Sequence, residues 1–128
     1  MTKLLATSVV RGSNQGDSHG GVYLVDIHHQ AVDLKLDWRK QDIDWRGAGA
    51  DRGLRGIAIE GDTIYIASSD ELFAYTMEFD LIESWRNPFL KHCHEITKWD
   101  IANNRQIASI NVTMDIRSVI HCLAVWPN

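Results

Sequence analysis

Short runs of alternating or β-branched apolar residues, separated by turn-forming residues, dominate the chain. The runs GVYLVDI, TIYIASS and ELFAYT are examples, and Gly, Asn, Asp and Ser cluster between such runs. Hardly any stretch keeps apolar residues at helical spacing for three turns. Alternation with a period of two places successive side chains on opposite faces of a sheet. The pattern therefore predicts an all-β protein made of sequential antiparallel strands and short turns.

Ten strands are predicted along the chain, and they fall into three groups. The predicted strands cover 3–10, 21–27, 31–38, 54–60, 63–69, 71–76, 81–86, 92–101, 105–112 and 118–126. A polar, glycine-bearing connection over 39–53 separates the first group from the second. With 128 residues, the chain is predicted to form one domain, 1–128, that contains repeated units at 3–38, 54–86 and 92–126.

The units repeat one pattern, which consists of a strand, a short turn and a second strand. The segments VYLVDIHHQAVDLKLDW, ELFAYTMEFDLIESWR and ITKWDIANNRQIASI all follow it. Equivalent points are separated by about forty residues, which is the repeat length typical of propeller blades.

Two stretches of the chain carry a family resemblance. Residues 49–96 resemble the blade pattern of bacterial propeller proteins of the NHL and gluconolactonase-like type. Residues 97–110, followed by 121–128, are similar to the outer half of a WD-repeat blade that leads into the next inner strand. The resemblance implies antiparallel, four-stranded, propeller-like blades, and the predicted strands correspond to about two and a half blades per chain.

The number of strands is too small for a closed ring. Closed propellers typically contain about 4–8 blades, so we expect copies of this chain to complete a ring as a homo-oligomer, with a dimer favoured. Strand 118–126 lies beyond the last recognisable blade and is predicted to add to the N-terminal sheet, either its own or a partner's. A compact ten-stranded sandwich or barrel is the alternative fold.

Charge and hydropathy exclude two classes of partner. The formal net charge is −4 with acidic and basic residues interleaved, so the chain offers no broad positive surface to nucleic acid. No apolar run approaches the ~18 residues of a membrane span, and the start MTKLLATSVV lacks the apolar core of a signal peptide. The two cysteines, Cys93 and Cys122, are too few for a disulfide framework. These features predict a soluble, cytoplasmic protein.

Three residues occupy equivalent positions when the predicted inner strands are aligned. The tetrapeptides L-R-G-I, C-H-E-I and I-H-C-L place Arg55, His94 and His121 in register. Inner strands line the central channel of a propeller, so these side chains, together with Arg52, are predicted to bind a small anionic ligand at the channel mouth. The alternative is that the histidines are satisfied by backbone carbonyls and water, and that the arginines belong to an ion-pair network.

The segment around Cys93 contains candidate metal ligands. His92 and His94 are two residues apart on a predicted strand and therefore project from one face. Together with Glu95 and His121, they form a ligand set suited to a divalent metal ion. A divalent metal is the one cofactor that the sequence suggests.

The leading interpretation is a non-enzymatic binding or assembly protein with no assigned catalytic residue. The serines lack a Gly-x-Ser-x-Gly setting, and Cys93 projects from its strand opposite to His92 and His94, which argues against a nucleophilic dyad. The alternative is a metal-dependent enzyme of the lactonase or hydrolase type that uses the same histidines. The tryptophans near strand ends, including Trp38 and Trp85, are predicted to pack between blades or subunits.

Overall fold

Every regular secondary-structure element in the described part of the chain is a β-strand. The computed structural model describes residues 2–10, 13, 17–39, 53–68, 71–86, 96, 99–100, 105–106, 119–125 and 127. Its strands are β1 (Lys3–Val9), β2 (Gly20–Asp26), β3 (Ala31–Asp37), β4 (Ile57–Glu60), β5 (Thr63–Ser68), β6 (Glu71–Thr76), β7 (Leu81–Arg86), β8 (Trp99–Asp100), β9 (Arg105–Gln106) and β10 (Val119–Val125). The all-β prediction is confirmed, and these ranges contain no helix of the length and apolarity that crossing a membrane requires.

The predicted strand boundaries agree closely with the observed ones. The ends of β1, β2, β3, β5, β6, β7 and β10 all lie within about one residue of the prediction. β4 begins at Ile57, three residues after its predicted start. Of the predicted strands 92–101 and 105–112, the structure describes Ile96, β8 and β9, and the other residues lie outside the described ranges.

The described strands form two four-stranded antiparallel sheets and one two-stranded sheet. The order is β10-β1-β2-β3 in the first sheet and β4-β5-β6-β7 in the second, and β8 pairs with β9. The β1–β10 ladder runs from Leu4 opposite Val125 to Val9 opposite Val119. The prediction that strand 118–126 adds to the N-terminal sheet is therefore confirmed, and the sheet is that of its own chain.

Segments 27–30 and 77–80 form the turns that connect β2 to β3 and β6 to β7. In each turn, the last side chain of the preceding strand accepts backbone hydrogen bonds. Asp26 Oδ1 accepts from the His29 N–H at 3.0 Å, and Thr76 Oγ1 accepts from two N–H groups of its turn at 3.2 Å. The hydrogen bonds from the His29 backbone and ring lower the pKa of Asp26 to about 2. The two turns share this side-chain hydrogen bonding but differ in backbone, since the residue with positive φ is the fourth, Gln30, in the first turn and the third, Phe79, in the second.

Gly20 opens β2 in a conformation that other residues rarely adopt. Its φ is +126°, and a Cβ atom at this position would lie 1.9 Å from the Ser8 carbonyl oxygen. The absence of a side chain thus lets the start of β2 lie directly against the end of β1.

The core lies between the two four-stranded sheets. Paired residues share a face, so the register assigns Leu5 and Val22 to the face of the first sheet that packs on the second. The second sheet contributes a larger apolar group: Ile57, Ile64, Ile66, Phe73 and Tyr75. Trp38 is fully buried and packs edge to face on Phe73, with ring centres 4.9 Å apart. Trp38 thus packs between sheets, whereas Trp85 is 42% exposed.

Each sheet also has a second face, turned away from this core. The first outer face is defined by Leu4, Tyr23, Val25, Val32 and Leu34. The second outer face is defined by Ala58, Ala67 and Ala74, with Tyr65, Leu72 and Trp85. On the first of these, Val32 is 66% and Leu34 51% exposed. The first outer face is therefore rich in bulky aliphatic residues, and the second combines alanines with larger residues.

We expect Phe73→Ala to lower the free energy of unfolding by about 3–5 kcal/mol, because it removes a buried ring from Trp38 and leaves a cavity. Urea denaturation followed by circular dichroism measures this change. Leu81→Ala is the control: Leu81 is 56% exposed, so its truncation should change stability by at most about 0.5 kcal/mol. Equal effects of the two substitutions would contradict the core described above.

Candidate functional site

The structure describes two of the residues predicted to bind a ligand, Arg55 and His121. Arg55 lies in the segment 53–56 that leads into β4, and it is 4% exposed. The backbone of His121 lies within β10. The other predicted site residues fall outside the described ranges: Arg52, His92, His94 and Glu95.

The strand register places Arg55 and His121 at equivalent backbone positions of the two sheets. The first residue of β1 pairs with the last residue of β2, and the first residue of β5 pairs with the last residue of β6. β1 and β5 therefore occupy corresponding positions in their sheets. The fourth residue of β1 pairs with Leu123, and the fourth residue of β5 pairs with Ile57. His121 and Arg55 each lie two residues before these partners. The backbone thus agrees with the alignment of I-H-C-L and L-R-G-I.

His121 lies at a β-bulge. Thr7 pairs with Cys122 and Ser8 pairs with Ile120, which leaves His121 as the extra residue of β10. β10 also contacts β4 of the second sheet. We call this pair of adjoining strands, together with the segment 53–56, the β10/β4 edge.

A buried hydrogen bond links the two sheets at this edge. Thr7 is fully buried, and its hydroxyl donates to the Arg55 carbonyl oxygen at 2.5 Å. The Arg55 N–H donates to the Ala67 carbonyl oxygen of β5 at 2.9 Å. Gly53 allows a close approach, since a Cβ atom there would lie 2.4 Å from Cγ1 of Val9. The backbone around Arg55 is therefore held between β1 and β5.

The Arg55 side chain brings a positive charge into a mostly buried position. A guanidinium carries five N–H donors and no acceptor, and burying its charge is costly unless hydrogen-bond acceptors face it. Carboxylate and phosphate oxygens match the planar fork of the guanidinium in a bidentate manner. The position therefore requires acceptors of this kind, which protein groups or an anion can supply.

Another buried polar residue, His19, was not among the residues predicted from the sequence. It is fully buried, and its backbone joins the loop after β1 to the end of β3. The Val10 N–H donates to the His19 carbonyl oxygen at 3.1 Å, and the His19 N–H donates to the Trp38 carbonyl oxygen at 2.8 Å. The sequence around it, rich in Gly, Ser and Asp, is typical of an exposed loop, so no local signal marks this histidine as buried.

Polar side chains next to His19 in the chain form a small network. Ser18 Oγ donates to Asp37 Oδ1 at 2.8 Å, and Arg39 Nε donates to Asp37 Oδ2. The hydrogen bond from Arg39 lowers the pKa of Asp37. The Ser18 hydroxyl donates to a carboxylate and not to an imidazole, so this geometry is that of a structural network and not of an activated nucleophile.

Metal binding at the predicted ligands stays a prediction. Within the described ranges, no group of three or more His, Cys, Asp or Glu side chains is placed to hold a metal ion. The predicted ligands His92, His94 and Glu95 lie outside those ranges.

Comparison with known proteins assigns no family to the chain. No family model matches it, and neither a curated protein nor a solved structure matches it. Function is therefore inferred from the residues and their geometry alone.

We expect Thr7→Val to lower the free energy of unfolding by about 1–3 kcal/mol, because it removes a buried donor to the Arg55 carbonyl while nearly preserving side-chain volume. Thr7→Ser is the matched control, since it keeps the hydroxyl and loses one methyl group. Thermal and urea denaturation of both variants measure the difference. If Thr7→Val proved as stable as the wild type and Thr7→Ser less stable, methyl packing and not the hydrogen bond would link the sheets here.

Proposed function

We propose that this chain is a non-enzymatic binding and assembly module, a homo-oligomeric, propeller-like protein that holds a small anion at the β10/β4 edge. One observation carries the proposal. Arg55 and His121 occupy equivalent backbone positions, and the strands β4 and β10 contact each other. In a propeller, equivalent inner-strand positions of successive blades converge on one channel.

In this proposal, each four-stranded sheet corresponds to one propeller blade. Three features support the correspondence: both sheets are antiparallel, they pack face to face, and β10 and β4 adjoin. β10 and β4 would then be inner strands, and β3 and β7 outer strands. The C-terminal strand would complete the N-terminal blade, which joins the two ends of the described chain.

The proposed ligand is a small anion that carries a carboxylate or phosphate group. Arg55 would supply a forked pair of donors to two anion oxygens. His121 would add an imidazole donor, which carries a positive charge when protonated. These groups bind and orient an anion, and the proposal assigns them no catalytic step. The metal-dependent hydrolase alternative depends on His92, His94 and Glu95, which lie outside the described residues.

The proposed partner is a second copy of this chain. The described sheets are too few for a closed propeller, and each keeps an outer face. The first outer face presents exposed Val32 and Leu34, whereas the second presents exposed Trp85 beside the buried Ala67 and Ala74. Exposed apolar side chains of this kind can pack together at the density that protein interfaces require. The second outer face of one copy would therefore cover the first outer face of the next, a head-to-tail contact that can close a ring.

Association through the faces is favoured over pairing of the outer strand edges. The β2–β3 and β6–β7 ladders each contain a bulge. On β3, Lys35 forms an ion pair with Asp33, and on β7, Arg86 forms an ion pair with Glu71 at 2.9 Å. Bulges and charged side chains on an edge strand oppose the addition of a further strand.

Inorganic phosphate tests the anion site. At about five times its Kd, a ligand stabilises the fold by about 1 kcal/mol, which raises the unfolding temperature by several degrees in a domain of this size. We expect phosphate to raise the unfolding temperature of the wild type by this amount, relative to chloride at the same ionic strength. Arg55→Lys and His121→Gln should each remove at least half of it, because the fork or the imidazole is lost.

Arg86→Lys is the matched control for the phosphate experiment, since Arg86 lies on β7 and pairs with Glu71. Phosphate also stabilises proteins through exclusion from their surface, so each variant is compared with its own unfolding temperature in chloride. An increment that is equal in the wild type and in the Arg55 and His121 variants would refute the anion site.

Sedimentation equilibrium tests the assembly. We expect the wild type to show about twice the 14.5 kDa mass of the single chain, because a second copy covers the outer faces. Leu34→Asp should return the mass to that of one chain, since a charge would then be buried in the contact. Leu81→Asp, an equally exposed apolar position outside both outer faces, should leave the dimer intact. A monomeric wild type would rule out the assembly.

A further inference from the structure

The turn between β2 and β3 carries two adjacent histidines, His28 and His29, away from the β10/β4 edge. Both residues are exposed. Their ring centres lie 4.9 Å apart, and the ring planes are nearly perpendicular, at 88°. Two imidazoles therefore stand side by side at the surface, where a dissolved ion can reach them.

Asp26 orients one of these rings. Its Oδ2 lies 2.9 Å from His29 Nδ1, while its Oδ1 accepts the His29 backbone N–H at 3.0 Å. Lys3 Nζ lies 3.7 Å from the same Oδ2. Because an ionised carboxylate only accepts hydrogen bonds, Nδ1 is the nitrogen that carries the proton in a neutral His29 ring, which leaves the lone pair on Nε2. The turn thus holds the tautomer of His29 that binds metals through Nε2.

The spacing of the rings fits a shared ion. Zinc binds imidazole nitrogen at about 2.1 Å and so lies about 3.2 Å from the ring centre. When a nitrogen of each ring points at the ion, ring centres separated by 4.9 Å subtend an angle of about 100° there. That angle is close to the tetrahedral geometry that Zn²⁺ prefers.

We propose that His28 and His29 bind one divalent transition-metal ion, such as Zn²⁺, through Nε2 of His29 and a ring nitrogen of His28. Imidazole is a favoured ligand of Zn²⁺, Ni²⁺ and Cu²⁺. Water completes the coordination, since no group of three or more His, Cys, Asp or Glu side chains is placed to hold a metal ion among the described residues. Asp26 acts from outside the coordination sphere as a positioning residue, in the manner of the carboxylate–histidine–zinc arrangement. The site is independent of the proposed anion site.

Calorimetric titration of the full chain with Zn²⁺ alone tests this site. The experiment uses a His92→Gln and His94→Gln background, so that the histidine pair predicted from the sequence does not contribute. We expect one equivalent of bound Zn²⁺. His28→Gln and His29→Gln should each weaken binding at least tenfold, because each removes a ligand. Asp26→Asn should weaken it about tenfold, because second-shell partners of zinc histidines typically contribute 10–100-fold.

Glu78→Gln is the matched control, since Glu78 lies in the turn between β6 and β7, which contains no histidine. It should leave the Zn²⁺ affinity unchanged. Long-range ¹H–¹⁵N spectra supply a second readout: the free protein should show His29 protonated at Nδ1, and Zn²⁺ should shift its Nε2 signal. Absence of Zn²⁺ binding in the background protein, or unchanged binding after removal of both His28 and His29, would overturn the proposal.

Discussion

The antiparallel ladder between β1 and β10 is the interaction on which the rest of the structure depends. It joins the two ends of the described chain, with Leu4 opposite Val125. β1 thereby pairs on both sides, with β2 and with β10, and its residues Leu5, Ala6 and Val9 are at most 2% exposed. Without β10, β1 would be an edge strand with unpaired backbone groups. The entropic cost of closing a long loop grows only slowly with loop length. Burial of β1 and its complete backbone ladder can therefore offset this cost.

Packing between the two sheets brings β10 and β4 together. The apolar faces that meet around Trp38 and Phe73 set the spacing of the sheets. Near the end of β1, the contact between the sheets is no longer purely apolar, because the polar residues Thr7 and Arg55 are buried there. The hydrogen bond from the Thr7 hydroxyl to the Arg55 carbonyl crosses from one sheet to the other. The Arg55 side chain is thereby brought to the junction of the sheets, where a buried polar group must be paired with hydrogen-bonding partners.

The two proposed binding positions lie at opposite ends of β1. His121 lies beside Thr7 and Ser8 in the ladder, whereas the two-histidine turn follows Asp26, which pairs with Lys3 at the other end. They also differ in chemistry, since a mostly buried guanidinium favours anions and exposed imidazoles favour transition metals. Substitutions at one position therefore leave the residues of the other position unchanged, so each can be tested separately.

The sequence by itself determined the strands and their turns. Alternation with a period of two is a local property, and it predicted both ends of β6 and β7 correctly. It placed the start of β4 three residues too early, although the Arg55 N–H still donates to the Ala67 carbonyl of β5 just before the regular ladder begins at Ile57. The equivalence of Arg55 and His121 was also readable from the sequence, since both lie at fixed offsets within similar strand patterns.

Only the tertiary structure decided which surfaces are buried and which chain β10 joins. The pattern of strand 118–126 suits an N-terminal sheet of its own chain or of another copy, and the fold selects its own. His19 lies in a stretch typical of exposed loops and is nevertheless fully buried, whereas Trp85 is 42% exposed. The physical reason is the range of the interactions. Strand formation follows from residues that are neighbours in the chain, whereas burial depends on which distant strands pack together.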